Sequence, residues 1–181
     1  TEAALGVCLN LSPSISGKVI MNWQEVCDDP SLQDLPFKIE LNQHGEVIMN
    51  AVRVKHSLYV EKILLLLKAF LPNGYCPPEF AIGTDDGVRS PDVVWISRER
   101  VMPAQDALYS VIAPEICVEV MSPGNTWSQM LNKRDLYFKA QAEEFWICSE
   151  TGAMNFFNPT GELASSRLVP GFPESLELFD E

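Results

Sequence analysis

The sequence predicts an α/β protein in which helices flank a mixed β-sheet, and two observations support that class. Two apolar runs, residues 93–96 and 114–121, contain the β-branched and aromatic residues that buried strands favour. Before and after them lie two segments, residues 54–71 and 127–142, whose apolar residues recur at roughly helical spacing. Helices that alternate with strands along a chain commonly cover the faces of one sheet.

The chain has the length and composition of a single globular domain. Its 181 residues are enough to bury a core, and 46% of them are hydrophobic and 21% charged. We predict a poorly patterned N-terminal segment over residues 1–20 and one domain over residues 21–181. The longest apolar run, residues 63–71, is shorter than the roughly 20 residues of a membrane-spanning helix. Because no signal-peptide pattern is seen near the start, we expect a cytoplasmic protein without a membrane partner.

The first half of the chain is predicted to contain a short helix, a hairpin and a long helix. Residues 22–29 suit a short helix, and Pro30 ends it. Residues 37–50 alternate between apolar and polar around a turn sequence, which is typical of a β-hairpin. The helix over residues 54–71 ends before a Pro-Asn-Gly sequence.

The second half is predicted to alternate strands with one helix. Residues 79–97 indicate two strands joined by a Thr-Asp-Asp-Gly turn, and residues 114–121 form another strand. The helix over residues 127–142 begins with a Thr-x-x-Gln sequence, which is the spacing of a capping box. A strand over residues 144–149 and a closing hairpin follow.

The cysteines exclude two classes of protein. All five are scattered and none forms a C-x-x-C pair, so they indicate neither a disulfide framework nor a zinc site. Cys117 and Cys148 lie in apolar runs, where a thiol usually packs as a small hydrophobic group. A cysteine hydrolase that uses Cys117 and His56 would need a local nucleophile signature, which the sequence lacks.

The formal net charge of −12 argues against broad affinity for nucleic acids, which basic patches normally supply. The acidic excess is uneven, because basic and acidic residues are equal in number from Arg89 to Lys139. The excess lies outside that segment, partly in residues 174–181. A neutral centre in an acidic protein is compatible with an anionic substrate.

Two carboxylates lie beside or within the predicted buried strands. Asp92 opens the first of these strands, and Glu119 has apolar residues on both sides. Because side chains alternate along a strand, Glu119 shares a face with Cys117 and Met121. Each carboxylate needs solvent, a charged partner or a metal ion, because burying a charge alone is too costly.

A lysine interrupts the apolar stripe of the helix that follows. Lys133 has Met130 and Tyr137 three and four positions away, which places it on the packed face rather than the solvated one. Two acids in apolar strands and an inward lysine would each be unfavourable alone. Around a divalent metal ion they compensate one another, so the set predicts a metal site.

Longer motifs carry a resemblance to a known family. The sequences SPDVVWIS (90–97), PEICVEVMSPGNT (114–126) and NKRDLYFKAQAEEFWICSETGAMNFF (132–157) are similar to those of Uma2-type endonucleases. That family is abundant in cyanobacteria and belongs to the restriction-endonuclease-like PD-(D/E)-x-K superfamily. The likeness runs from about Trp23 to Leu178, and the ordered set of motifs is more specific than the short Pro-Asp pair.

The resemblance implies a restriction-endonuclease-like fold and assigns metal ligation to Asp92 and Glu119. The superfamily's lysine normally stands two residues after the second acid, where this chain has Met121. In this family the lysine lies in the following helix, which matches Lys133. Glu40 matches an upstream acidic position that assists metal binding, so the implied catalytic set is Asp92, Glu119, Lys133 and Glu40.

These residue types suit the hydrolysis of a phosphodiester. A divalent ion neutralises charge on the non-bridging oxygens and lowers the pKa of the attacking water. Mg²⁺ prefers oxygen ligands and needs only one or two carboxylates, and Mn²⁺ is the alternative. A lysine ammonium can stabilise the transition state. The resemblance therefore implies a Mg²⁺-dependent endonuclease acting on DNA, and we expect a homodimer because a two-fold pair suits cleavage of both strands.

Other interpretations stay open at this stage. A degenerate, non-catalytic domain could keep the fold to bind a protein or nucleic-acid partner, and the acidic composition favours it. Arg134 or Lys139 could take the role of Lys133. We expect Glu115 to be solvated and His56 to cap or pack its helix. The basic residues expected to form the approach for DNA are Arg89, Arg98, Arg100, Arg134 and Lys139.

Overall fold

The computed structural model describes residues 20–179, so the N-terminal segment predicted over residues 1–20 lies outside the described residues except for Ile20. The α-helices of the described part are α1 Trp23–Asp28, α2 Val54–Phe70, α3 Arg98–Val101 and α4 Trp127–Lys139. Its strands are β1 Phe37–Leu41, β2 Val47–Ala51, β3 Ile82–Thr84, β4 Gly87–Arg89, β5 Val93–Trp95, β6 Ile116–Val120, β7 Glu144–Cys148, β8 Met154–Asn158 and β9 Gly161–Leu163. Short 3-10 helices occupy Pro30–Leu32 and Met102–Ala104.

The strands form two sheets rather than the one sheet that the sequence predicts. The first is antiparallel, in the order β2-β1-β4-β3. The second has the order β5-β6-β7-β8-β9 and is mixed, because β6 and β7 are parallel whereas the other neighbours are antiparallel. The mixed sheet expected from the sequence is therefore present, and the predicted hairpin at residues 37–50 belongs to the smaller sheet beside it.

The predicted second strand of residues 79–97 is broken in the middle. β4 ends at Arg89 and β5 begins at Val93, and the two strands belong to different sheets. Pro91 lies between them and has no backbone N–H to continue a ladder, which explains the break. As a result, Asp92 lies where the two sheets meet.

The five-stranded sheet is covered by a helix on each face. Tyr59, Ile63 and Leu67 of α2 pack in one buried cluster with Val118 and Val120 of β6. On the opposite face, the apolar side of α4 packs in a second buried cluster with side chains of β6 and β7; its members include Met130, Tyr137, Cys117, Phe145 and Ile147. The alternation predicted for β6 is confirmed, since Cys117 and Val118 face different clusters.

Helix α4 connects the two parallel strands, and its ends fit their sequences. Thr126 accepts a hydrogen bond from the backbone N–H of Gln129, whose side chain accepts one from the N–H of Thr126, so the predicted capping box is present. The helix ends at Lys139, earlier than the predicted residue 142. Gln141 has a φ of 74°, and this left-handed backbone conformation terminates the helix.

No helix among residues 20–179 is long and apolar enough to cross a membrane. Within the same range the cysteines are free thiols: Cys27 is exposed, and Cys76, Cys117 and Cys148 are buried.

Candidate active site

The side chains singled out from the sequence meet at the junction of the two sheets. Lys133, from α4, places its Nζ 3.0 Å from Glu119 Oε1 and 3.3 Å from Glu40 Oε1. Glu119 comes from the centre of β6 and Glu40 from β1. Asp92 joins them through Lys38, whose Nζ contacts both Asp92 and Glu119. The four predicted site residues therefore form one cluster.

Backbone hydrogen bonds fix Asp92 just before β5. Its N–H donates to the carbonyl of Val118 at 3.0 Å, and its Oδ2 accepts from the N–H of Val120 at 2.8 Å. The carboxylate thus accepts a hydrogen bond from β6 that a backbone carbonyl of a paired strand would otherwise accept, at the point where Pro91 separates β4 from β5. The side chain is 8% exposed, so Asp92 is buried beside the strand.

Lys38 is a member of the site that the sequence did not reveal. Its Nζ lies 2.8 Å from Asp92 Oδ1 and 3.6 Å from Glu119 Oε2, so both carboxylates converge on one nitrogen atom. Burial would lower the pKa of Lys38, but the charges of Glu119, Asp92 and Glu40 outweigh it and raise that pKa. The signal was the strand alternation of β1, because Lys38 and Glu40 are two residues apart and share a face.

His56 is a second residue that the sequence reading missed. It lies in the first turn of α2, and its Nε2 is 3.1 Å from Asp92 Oδ2. It does not cap the helix, since the N-cap residue is Arg53, which makes no side-chain capping bond. No pattern in the sequence pairs a histidine of α2 with a carboxylate 36 residues later.

Tyr137 contributes its hydroxyl to the site as well as its ring to the core. The side chain is fully buried, and its hydroxyl donates to Glu119 Oε1 at 2.9 Å. It lies one turn after Lys133 on α4, so both residues reach the same carboxylate. Glu119 Oε1 therefore has two donors from one helix.

Glu40 is buried in β1. It is 2% exposed, and its Oε1 accepts the backbone N–H of Ser90 at 3.0 Å. Its other oxygen lies 3.7 Å from Arg89. Burial would raise the pKa of Glu40, but Lys133, Lys38, the Ser90 N–H and Arg89 together lower it. Glu40 is therefore an ionised carboxylate that ties the smaller sheet to the site.

The pKa values of the other two carboxylates, Asp92 and Glu119, are shifted in opposite directions. Burial would raise the pKa of Asp92, but Lys38 and His56 outweigh it and hold that pKa well below its usual range. Burial raises the pKa of Glu119 by more than Lys133 and Lys38 lower it. The ionisation of Glu119 therefore depends strongly on the cations around it.

The expectation that Glu115 is solvated is wrong. This residue is 9% exposed and accepts the N–H of Ser97 at 3.0 Å, and its Oε1 lies 3.4 Å from Arg100. It is buried because the loop after β5 folds over the start of β6. Glu115 precedes Glu119 by four strand residues, about 13 Å, so this ion pair lies at the far end of β6 from the site.

Three of the five basic residues expected to approach DNA pair with acids outside the site, and a fourth, Arg89, pairs with Glu40 within it. Arg100 donates to two backbone carbonyls and to Glu143, near Glu115. The remaining ion pairs are Arg89 with Glu40 and Asp86, Arg134 with Asp135, and Lys139 with Asp85. Neither Arg134 nor Lys139 takes the place of Lys133, which contacts Glu119 itself.

An open cleft of about 310 Å³ gives access to the site. Its floor includes Lys38, His56, Asp92, Glu119 and Lys133. Polar groups of β2 and of the β2–α2 and β6–α4 loops line the rest, among them Asn50, Arg53, Ser122 and Asn125. The cleft is therefore a polar opening in which the carboxylates can be reached from solvent.

The donor set suits a hard divalent cation that keeps several waters. Among residues 20–179 no group of three or more His, Cys, Asp or Glu side chains could hold a metal ion. Mg²⁺ needs only one or two carboxylates from a protein, and Asp92 and Glu119 supply two oxygens facing the same point. Lys38 Nζ lies at that point. The residues fit such an ion if the Lys38 ammonium moves away from the two carboxylate oxygens.

These features define a class of protein: an α/β fold of the restriction-endonuclease-like type, with two acids and a lysine meeting beside an interrupted strand. The chain belongs to the Uma2 family, whose description is "Putative restriction endonuclease" and whose model matches residues 28–178.

A solved structure shares the fold. It is a "putative nuclease belonging to DUF820" from Anabaena variabilis, which is 15% identical and superposes with a TM-score of 0.65. The match covers 87% of this chain and 95% of that one. At this identity the likeness concerns the fold and not the site. A comparison with curated proteins finds no match.

Proposed function

We propose that the protein is a Mg²⁺-dependent endonuclease that hydrolyses phosphodiester bonds of DNA. The observation that carries this proposal is the meeting of Asp92, Glu119 and Lys133 at the floor of an open polar cleft. Membership of the Uma2 family supports it at the level of the reaction class. Mn²⁺ would serve in place of Mg²⁺, because it accepts the same carboxylate and water ligands.

Asp92 and Glu119 are the residues that would hold the ion. When bound there, a divalent cation neutralises phosphate charge and lowers the pKa of water. The chain's own groups keep the two carboxylates in place: the Val120 N–H and His56 hold Asp92, and Tyr137 holds Glu119. Such fixed neighbours orient ligands and tune them.

Lys133 supplies the positive charge that the reaction needs beside the carboxylates. Its ammonium lies 3.0 Å from Glu119 Oε1 and lines the cleft, so a phosphate that enters would meet it. A preorganised cation of this kind stabilises charge that develops in the transition state. Glu40 also contacts the Lys133 ammonium, at 3.3 Å, and therefore helps to position it.

A second function fits one specific observation. The buried carboxylates already have protein partners in Lys38, Lys133 and Arg89, and the chain carries a net charge of −12. A non-catalytic domain that keeps this fold to bind a protein or nucleic-acid partner would show the same ion pairs. Calorimetric titration of the wild type and of Asp92→Ala with Mg²⁺ separates the two functions, because only the nuclease requires binding that Asp92→Ala loses.

Cleavage assays test the proposed function directly. The wild type and Asp92→Asn are incubated with Mg²⁺, Mn²⁺ or EDTA on duplex, nicked, branched and single-stranded DNA and on RNA. Cleavage of a DNA substrate by the wild type alone, abolished by EDTA, is the expected result. Equal cleavage by the two proteins would contradict the proposal. We also propose that the active species is a homodimer, which light scattering after gel filtration measures.

A further inference from the structure

Lys38 stands at the only point that both candidate metal ligands share within the described residues. Asp92 Oδ2 is taken by the Val120 N–H and His56, whereas Oδ1 faces Lys38. Glu119 Oε1 is taken by donors of α4, whereas Oε2 faces Lys38. Lys38 therefore contacts the one oxygen of each carboxylate that the other donors leave open.

The buried carboxylates of the site all have cationic partners without an added ion. The charged groups that meet here are the carboxylates of Asp92, Glu119 and Glu40 and the cations of Lys38, Lys133 and Arg89. The Lys38 side chain is only 15% exposed, so its ammonium is largely removed from solvent and held by these acids. Removing it would leave two buried carboxylates facing each other across the vacated point.

Lys38 also has space to move into. Lys38 lines both the cleft of about 310 Å³ and a second cavity of about 380 Å³, which Leu35, Phe37 and Glu79 also line. Asp92 and His56 line both spaces. A four-carbon lysine stem can reorient between two such spaces, since its terminal bonds rotate freely.

We propose that Lys38 is a resident counter-ion of the Asp92–Glu119 pair, which a divalent cation must displace in order to bind both carboxylates. This inference rests on the proposed function, because it concerns the ion that the nuclease would use. Lys38 offsets the repulsion between the two carboxylates in the metal-free site, and by competing for the same two oxygens it lowers the affinity for the ion. Lys38 is thus a positioning residue that tunes metal binding.

Calorimetric titration with Mn²⁺ tests the proposal on the intact chain. Lys38→Met removes the competing charge, so we expect it to bind Mn²⁺ about tenfold or more tightly than the wild type, the usual effect of one charge at this range. Without metal the variant should melt at a lower temperature than the wild type, and saturating Mn²⁺ should raise its melting temperature by more. Lys38→Arg, which keeps the charge and adds a second donor, should bind Mn²⁺ no more tightly than the wild type.

Lys139→Met is the matched control, since Lys139 pairs with Asp85 on the surface at 3.2 Å. It should leave both Mn²⁺ affinity and the metal-induced shift in melting temperature unchanged. If the wild type binds Mn²⁺ and Lys38→Met binds it equally or more weakly, Lys38 does not compete with the ion and the inference is overturned. If neither protein binds Mn²⁺ while both are folded, the proposed function itself fails.

Discussion

At the scale of the residue, the site is a set of buried carboxylates whose oxygens are nearly all assigned to particular donors. Asp92 and Glu119 were found in the sequence because a charge beside an apolar strand is unusual. Lys133 was found because it interrupts a helical apolar stripe. Lys38 and His56 were missed because their partners are distant in sequence, and only the packing of a hairpin and of α2 brings them to the acids.

Replacing Lys133 tests its place in the site. We expect Lys133→Met to lower turnover by about 10²-fold, the scale for losing one electrostatic stabiliser, while both carboxylates still bind metal. The structure adds a cost in stability of about 3 kcal/mol, because Glu119 and Glu40 lose a buried partner. Adding Met121→Lys should restore part of the activity and stability, as measured by cleavage rate and urea unfolding. A Lys133→Met protein that cleaves at the wild-type rate would make Lys133 purely structural.

The lowered pKa of Asp92 predicts how stability depends on pH. A carboxylate whose pKa is lower in the folded than in the unfolded chain stabilises the fold above its unfolded pKa of about 4, and this contribution is lost as pH falls. Asp92→Asn should therefore lower the free energy of unfolding by about 3 kcal/mol at pH 7 and by less at pH 3. Asp135 is exposed, so Asp135→Asn is the control, and its free energy of unfolding should differ little from that of the wild type at either pH. If the difference in the free energy of unfolding between the wild type and Asp92→Asn does not change with pH, the ionised form of Asp92 does not stabilise the fold.

At the scale of the element, the parts predicted correctly are those whose signal is local. The capping box of α4 and the alternation of β6 depend on neighbouring residues and are present as expected. The break between β4 and β5 is missed in the sequence because β-favouring residues lie on both sides of Pro91 and suggest one strand. Only the pairing of β4 with β1 and of β5 with β6 shows that two sheets divide it.

The capping box predicts a link between the stability of α4 and catalysis. Thr126→Ala removes one cap bond and should lower the free energy of unfolding by about 1 kcal/mol. Because α4 carries both Lys133 and Tyr137, we also expect a several-fold fall in the cleavage rate. Asn22→Ala removes the equivalent bond from α1, which carries no site residue, and serves as the control. Equal losses of activity in the two variants would mean that the effect is general destabilisation.

At the scale of the whole molecule, an acidic protein that binds DNA needs a local basic region to contact the phosphate backbone. The sequence places the balanced charge between Arg89 and Lys139, but in the fold Arg100, Arg134 and Lys139 pair with acids away from the cleft. Position along the chain does not show which side chains lie near the cleft once the strands have paired into sheets. The exposed Arg53, at the start of α2, lines the cleft itself and was not singled out by the sequence.

DNA binding should therefore depend on Arg53 rather than on the arginines of α3. Arg53→Glu places a like charge beside the phosphates that enter the cleft, so we expect weaker DNA binding and a salt dependence reduced by about one unit of log–log slope. Arg98→Glu changes the charge by the same amount, but α3 follows β5 at the end opposite Asp92, so its affinity and slope should stay close to those of the wild type. Fluorescence anisotropy with a catalytically blocked Asp92→Asn background, at several salt concentrations, measures both quantities without cleavage. If instead Arg98→Glu weakens DNA binding and Arg53→Glu does not, DNA approaches along the basic residues of α3, as the sequence suggested. The cleft would then be entered from the side of α3.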